Sequence, residues 1–282
     1  MIKNIFSQIL DQKRKAVARL GAGLSSRDFR GRALEIRKKA EPHRLLRALE
    51  SDPRRLNIIA EFKRRSPSAG VIRNDLTVSE IVRCYERGGA CAISVLTDEE
   101  YFGGSIADLC AARSTTDLPL LRKDFIIDPI QIFEAAAAGT DAVLLIVAAL
   151  DDVSLGELRA VTEDELGLDA LVEVHTSGEL SRALIAGAKI IGVNNRDLGT
   201  FQVSLKTSER LVAKAPPNKI LISESGLQTA ESLLRLSKIG FRGYLIGEAL
   251  MRAPDPEVAL HDLVAVPEDR KSTAVSIGAP QQ

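Results

Sequence analysis

The chain has 282 residues, 45% of them hydrophobic and 27% charged, with basic and acidic side chains in equal number. A formal net charge of zero gives the whole surface no bias toward nucleic acid or an anionic membrane, and the longest apolar run, Ala142 to Leu150, is far short of the ~20 residues a membrane span needs. Cys84, Cys91 and Cys110 are odd in number and lack metal-ligand spacing, and His43, His175 and His261 are scattered, so the expectation is buried, reduced thiols in a cytoplasmic protein, with no metal.

Residues 1–50 hold thirteen Lys or Arg against five Asp or Glu. Such a start could be a targeting peptide or a nucleic-acid arm. Asp11, Glu35, Glu41 and Glu50 interrupt it, however, and aliphatics recur at helical spacing, which favours amphipathic helices with a solvated basic face. The spacing predicts helices over Ile2 to about Leu20, about Ser26 to Ala40, and His43 to Leu49. Ile9, Val17 and Leu20 are candidates for packing on the outside of the main fold or across one of its ends.

From residue 57 the pattern changes to strand then helix, repeated. Short β-branched runs begin near Asn57, Ala90, Leu118, Asp141, Asp169, Lys189, Lys219 and Arg242, each followed by a polar loop and a segment of helical periodicity such as Val78, Ile81, Val82 and Tyr85. No hairpin signal separates the runs, so the strands are parallel. A Gly-rich turn after the first strand, the mark of an open doubly wound sheet, is absent. The predicted fold is α/β, a (βα)8 barrel over 57–264 with a helical extension over 1–50, together one domain ending near residue 266. Residues 267–282 are polar and aperiodic, and are expected to be disordered.

The informative residues close the strands. Side chains alternate along a strand, so Ile59, Glu61 and Lys63 share a face, as do Leu121 and Lys123, and Leu171, Glu173 and His175. The same parity joins Ile190, Gly192, Asn194 and Arg196, then Ile220, Ile222 and Glu224. If the aliphatic members fill the barrel, the charged members rise into its mouth, where barrel enzymes place their chemistry. Neighbours of both signs there push pKa values apart and let one site hold an acid and a base. A ring of salt bridges that only neutralises the barrel end is the bland alternative, and Glu61 and Lys63 could simply pair with each other. His175 reads as an orienting residue, and Asp124 as a brace for the loop after Lys123.

Two glycine segments, ISESGLQ (222–228) and LIGEALM (245–251), follow the last two strands and suit phosphate. The long basic first loop, Arg64 to Asp75, reads as a mobile cover carrying Ser66 and positive charge over an anion, or as an ordinary excursion. Phe102 and Phe125 fall near the rim, where they could sandwich a planar ring or belong to the core.

IIAEFKRRSPSAG, SVLTDEEYFGGS, LLRKDFIID, LVEVHT, IGVNNRDL, ISESGL and LIGEALM together resemble, in order and spacing, the strand-end motifs of the indole-3-glycerol phosphate synthase family, from residue 1 to about 264. The resemblance implies a carboxy-lyase of tryptophan biosynthesis. Its reaction closes the indole ring of 1-(2-carboxyphenylamino)-1-deoxyribulose 5-phosphate, with loss of carbon dioxide and water and no organic cofactor. It assigns Lys123 as general acid and gives Glu173 one proton transfer of the dehydration, the other falling to Lys63 or Glu61. Asn194 and Arg196 would orient the substrate, and Glu224 with Ser225 would hold sugar hydroxyls or the lysine network. The amides of Gly226, Gly247 and Glu248 would take the phosphate. The small phosphorylated substrate is the expected partner, and association with other tryptophan-pathway enzymes is compatible with it. A phosphoribosylanthranilate isomerase would want a Cys/Asp pair where this chain has Lys and Glu. A silent paralogue that senses an aryl sugar phosphate is the rival from another class.

Overall fold

A computed structural model describes residues 5–23, 26–52 and 55–265, so the predicted tail from residue 267 lies outside the described residues. Eight parallel strands close into a barrel. They are β1 (Asn57–Phe62), β2 (Ala92–Leu96), β3 (Leu120–Lys123), β4 (Ala142–Ile146), β5 (Asp169–Val174), β6 (Ile190–Asn194), β7 (Ile220–Glu224) and β8 (Gly243–Ile246). Each pairs with the next in chain order and β8 returns to β1, which is the predicted (βα)8 topology. The strands begin within two residues of the predicted starts because both of their faces are covered, so each reads as a nearly unbroken aliphatic run.

The two faces sort as the parity predicts. Ile59, Leu121, Leu171, Ile190 and Ile222 join Ala92, Leu144 and Leu245 inside the barrel, while Ile58, Leu120, Val143, Val172 and Ile191 face the helices. Register then sets the charged ends level: Leu96 lies opposite Lys123, Ile146 opposite Glu173, and Asn194 opposite Glu224.

Thirteen α-helices occur among the described residues. They are α1 (Ile5–Gly23), α2 (Ser26–Arg37), α3 (Arg44–Glu50), α4 (Val78–Arg87), α5 (Glu99–Phe102), α6 (Ile106–Arg113), α7 (Pro129–Ala137), α8 (Asp152–Ala160), α9 (Ser177–Ile185), α10 (Lys206–Val212), α11 (Ala230–Ile239), α12 (Glu248–Arg252) and α13 (Pro256–Val264). Local chemistry marks their starts. Thr77 and Glu80 form a reciprocal capping box on α4, and Asp128 with Gln131 does so on α7, where Pro129 begins the helix.

The extension does both things expected of it. On α1, Ile9 is buried and borders the barrel mouth, whereas Val17 and Leu20 pack against the outer layer. α3 plugs the opposite end, with Leu45 and Leu49 in the interior cluster. It starts at Arg44, one residue after the expected His43, because His43 adopts a left-handed conformation (φ 52°) as the residue before the helix. His43 Nδ1 lies 3.0 Å from Asp169 Oδ1, and the Leu46 amide donates to Asp169 Oδ2 at 3.0 Å. These contacts tie the plug to the foot of β5.

Two expectations need correction. The first loop contains a small antiparallel ribbon, Arg65–Ser66 against Gly70–Val71, too short to leave a periodic signal. The cysteines are free, but only Cys91 is buried, and burial pushes its thiol up to about 12. Cys110 is exposed on α6 because the apolar face of that helix runs through Leu109 and Ala112 instead.

Candidate active site

A cavity of about 600 Å³ opens at the C-terminal ends of the strands. Every predicted catalytic, substrate-binding and phosphate-binding residue borders it: Glu61, Lys63, Ser66, Phe102, Lys123, Phe125, Glu173, Asn194, Arg196, Glu224, Ser225, Gly226, Gly247 and Glu248. The volume lies within the range usual for a small-molecule site.

Lys123 is the hub. Its ammonium lies 3.3 Å from Glu224, 3.7 Å from Glu61 and 3.8 Å from Glu173, three carboxylates from three other strands. Burial alone would lower the Lys123 pKa, but Glu224, Glu61 and Glu173 together hold it above the ordinary lysine value. Glu61 also accepts a hydrogen bond from Lys63 at 2.8 Å. Burial raises the Glu61 pKa, but Lys63 and Lys123 outweigh it and keep the carboxyl below its usual range.

Glu224 goes the other way. Its carboxylate is buried with the Lys123 ammonium 3.3 Å away, and burial pushes its pKa up to about 8 despite that neighbour. The same cluster thus holds one carboxyl biased toward the charged form and another biased toward the neutral one, the separation an acid–base site needs. Gly192 makes room for it: a Cβ there would sit 2.1 Å from Glu224 Oε1. A carboxyl whose folded pKa lies above its unfolded value favours folding fully only at low pH. That contribution is present below about 4.5 and is lost as pH rises through about 8. Glu224→Gln should therefore gain stability over the native chain across this window, by at most about 1.4 kcal/mol per pH unit. Urea unfolding at stepped pH measures the difference, and parallel curves would mean that Glu224 stays ionised throughout.

On the far side of the mouth, Asn194 Oδ1 accepts from Ser225 Oγ at 2.9 Å and from the Arg196 amide at 3.0 Å, linking the tips of β6 and β7. Arg196 reaches the Phe201 carbonyl at 3.2 Å and Ser68 Oγ at 3.4 Å. Ser225 has φ 66°, a conformation that costs a non-glycine residue on the order of 1–2 kcal/mol. Asn195, absent from the sequence expectations, holds it there by donating to Ser223 Oγ, the Glu224 carbonyl and the Ser225 carbonyl. Its signal was the polar side chain on the outward parity next to Asn194. Gly226 follows with φ 77°, and Gly247 lets the tip of β8 pass so close to Glu61 that a Cβ would meet Oε1 at 2.4 Å. Glu248 opens α12, whose first amides have no acceptor within the helix. Its carboxylate turns to Arg252 at 3.0 Å and away from those amides.

α1 contributes more than the sequence suggested. Phe6 and Ile9 border the cavity, and one turn further on Lys13 is buried between Asp124 (2.6 Å) and Asp98 (2.9 Å). Asp124 also accepts from Thr97, Arg122 and the Phe125 amide, so it braces the loop after Lys123 as expected and ties the extension to it. A lysine on the same helical face as Phe6, Ile9 and Leu10 was the available signal. Removing one partner of a buried pair strands the other charges, so Lys13→Met should cost about 3 kcal/mol in urea unfolding. A change under about 0.5 kcal/mol would make the pair a surface-like contact.

Two alternatives left open at the rim narrow in the structure. Phe102 and Phe125 touch each other, with centroids 6.3 Å apart and planes tilted by 38°, and Phe6 packs on Phe125 at 6.1 Å. No slot for a sandwiched ring lies between them; a planar group would rest against this aromatic wall. The arginines of the first loop also turn away from the cavity. Arg64 forks onto Asp108 at 2.6 and 2.7 Å, and Arg65 binds the carbonyls of Glu99 and Glu100. From this loop Ser66, Pro67 and Ser68 reach the cavity, so its charge anchors the loop and its small polar residues face the ligand.

Comparison with known proteins agrees with this geometry. A family model described as indole-3-glycerol phosphate synthase matches residues 6–263. The chain is 48% identical to the indole-3-glycerol phosphate synthase of Carboxydothermus hydrogenoformans over 244 residues, 82% of this chain and 91% of that one. It is 44% identical to the enzyme of the same name from Syntrophobacter fumaroxidans over 263 residues, 93% and 98% of the two chains. Among solved structures, 3-hexulose-6-phosphate synthase from Salmonella typhimurium superposes with a TM-score of 0.59 at 12% identity, over 74% of this chain and 97% of that one. Thiamine phosphate pyrophosphorylase from Pyrococcus furiosus gives 0.56 at 18%, over 74% and 93%. At such low identity these two share the fold alone.

Proposed function

The chain belongs to the indole-3-glycerol phosphate synthase family, and from that premise we propose how its mouth performs the family's reaction. The enzyme is a carboxy-lyase of tryptophan biosynthesis that turns 1-(2-carboxyphenylamino)-1-deoxyribulose 5-phosphate into indole-3-glycerol phosphate, carbon dioxide and water. Under the same reading it works in the cytoplasm, where free thiols such as Cys84, Cys91 and Cys110 persist.

Ring closure needs a proton at the ketone oxygen while the aromatic carbon bearing the carboxylate attacks. Lys123 is the donor. A raised pKa keeps it charged at neutral pH, and the oxygen it serves becomes alkoxide-like as the bond forms, so transfer runs downhill. Leaving of carbon dioxide returns the bonding pair to the ring. Dehydration then takes one proton from the intermediate and gives one to the departing hydroxyl. Glu173 performs one of these transfers, and Lys63 or Glu61, joined at 2.8 Å, performs the other. Asn194 and Arg196 orient the substrate, and Glu224 with Ser225 meets its hydroxyls. Ser66 covers it from the first loop, and Phe102 with Phe125 lies against the aryl ring. The amides of Gly226, Gly247 and Glu248 grip the phosphate, where the start of α12 borders the cavity.

The observation that carries this reading is one ammonium, Lys123, held within 4 Å of three carboxylates from separate strands. Incubating the purified chain with the carboxyphenylamino-deoxyribulose phosphate should produce indole fluorescence and one equivalent of carbon dioxide. Tight substrate binding without product would favour the sensor instead.

A further inference from the structure

One buried polar atom just behind the cavity wall has no role in the chemistry above: His175 Nε2. It lies 3.4 Å from Glu173 Oε1. The other ring nitrogen, Nδ1, lies 3.2 Å from Glu179 Oε2, and the same oxygen accepts the His175 backbone amide at 2.8 Å. Glu179 is the third residue of α9, whose cap is Thr176; Thr176 Oγ1 accepts the Glu179 amide at 3.2 Å and donates to Glu179 Oε1 at 3.2 Å. Burial raises the Glu179 pKa, but its bonds to His175 outweigh that and keep it below the usual carboxylate range. An ionised acceptor at Nδ1 requires a proton there. Nε2 is then the nitrogen free to gain or lose one, and it faces the Glu173 carboxylate.

We propose that His175, oriented by Glu179, is a positioning residue that shares one proton with Glu173 and so sets the charge state in which Glu173 meets the substrate. The inference rests on the reading of Glu173 as a reacting group. The exchange is balanced: the proton leaves Glu173 Oε1 for His175 Nε2, one O–H bond breaking as one N–H bond forms, and the net charge of the pair is unchanged. Lys123 sits 3.8 Å from the other oxygen, Oε2, so Glu173 has a proton partner on each side.

The surroundings favour a proton on the imidazole. Burial opposes the charge, but Glu179 from α9, Glu173 from β5 and Glu224 from β7 outweigh it and raise the His175 pKa above its ordinary value. Asp197, after β6, also feels the His175 charge, while Arg210 from α10 approaches the His175 carbonyl at 3.5 Å and opposes it. A purely structural imidazole would need the Glu179 bond alone and would not have its second nitrogen buried against a catalytic carboxylate.

Two measurements on the full chain test this. In His175→Gln the neutral side chain cannot hold the proton, so whichever limb of the kcat–pH profile belongs to Glu173 should move to higher pH. The chain has three histidines, so NMR can follow each imidazole directly. The His175 midpoint should fall in Glu179→Gln and in Glu173→Gln relative to the native protein. An unmoved limb in folded His175→Gln, or an unmoved His175 midpoint in Glu173→Gln, overturns the inference. Should His175→Gln fail to fold, the NMR titration of the carboxylate variants decides alone. Native-like turnover by Glu173→Gln would instead defeat the reading of Glu173 as a reacting group, a separate failure, and the midpoint would still report whether the pair shares its proton.

Discussion

Lys123→Ala should lower kcat by at least about 10²-fold, the lower end for loss of a general acid. The expectation follows from position as much as from chemistry. Lys123 pairs with Glu224 and Glu173 at once, and it shares Glu61 with Lys63. Its loss removes the proton donor and leaves Glu224 and Glu173 facing each other without the ammonium between them. Lys123→Arg separates the two effects. A guanidinium restores the positive charge but does not release a proton at any accessible pH. If Lys123 were only a counter-charge, arginine would recover most of the turnover; as a general acid, it should not. Turnover by indole fluorescence, on protein whose circular dichroism matches the native chain, reads both variants. Near-native kcat in Lys123→Ala would remove Lys123 from the chemistry.

Glu173→Gln is expected to be almost as damaging, with kcat down by about 10² or more and KM within a few-fold of native. The amide keeps the shape of the side chain and its contact with Lys123 but can neither accept nor return a proton. Glu173 lies deep on β5, between Lys123 at 3.8 Å and His175 at 3.4 Å. A loss confined to KM would make Glu173 a ground-state binding residue and transfer its proton step to Lys63 or Glu61.

The barrel was legible because parallel strands buried on both faces leave little choice of residue. The runs NIIAEF, DALVEV and ILISE each carry, in one of their last two positions, a carboxylate that no core would tolerate unpaired. Alternation then fixed which charges meet, and Glu61, Lys123, Glu173 and Glu224 do converge. What escaped was tertiary. Lys13 looks like one more basic residue of a basic helix, because its partners Asp98 and Asp124 come from β-strand loops far along the chain. The basic first loop stays open between a cover and an ordinary excursion in the sequence, since no pattern announces Asp108 or the carbonyls of α5 as the acceptors of Arg64 and Arg65. Phe102 and Phe125 fell correctly at the rim, but the angle between two rings is decided by packing, here with Phe6 from α1. Asn195 and His175 lay beside recognised site residues, and their roles depend on hydrogen-bond partners that only the folded chain supplies.

The most direct test is a crystal structure of the chain with a substrate analogue whose ketone is reduced to an alcohol, which binds without reacting. Its phosphate should rest on the amides of Gly226, Gly247 and Glu248, with the alcohol oxygen within about 3.2 Å of Lys123 Nζ. A phosphate bound elsewhere, or an alcohol oxygen facing hydrocarbon instead of the Lys123 ammonium, would contradict the account.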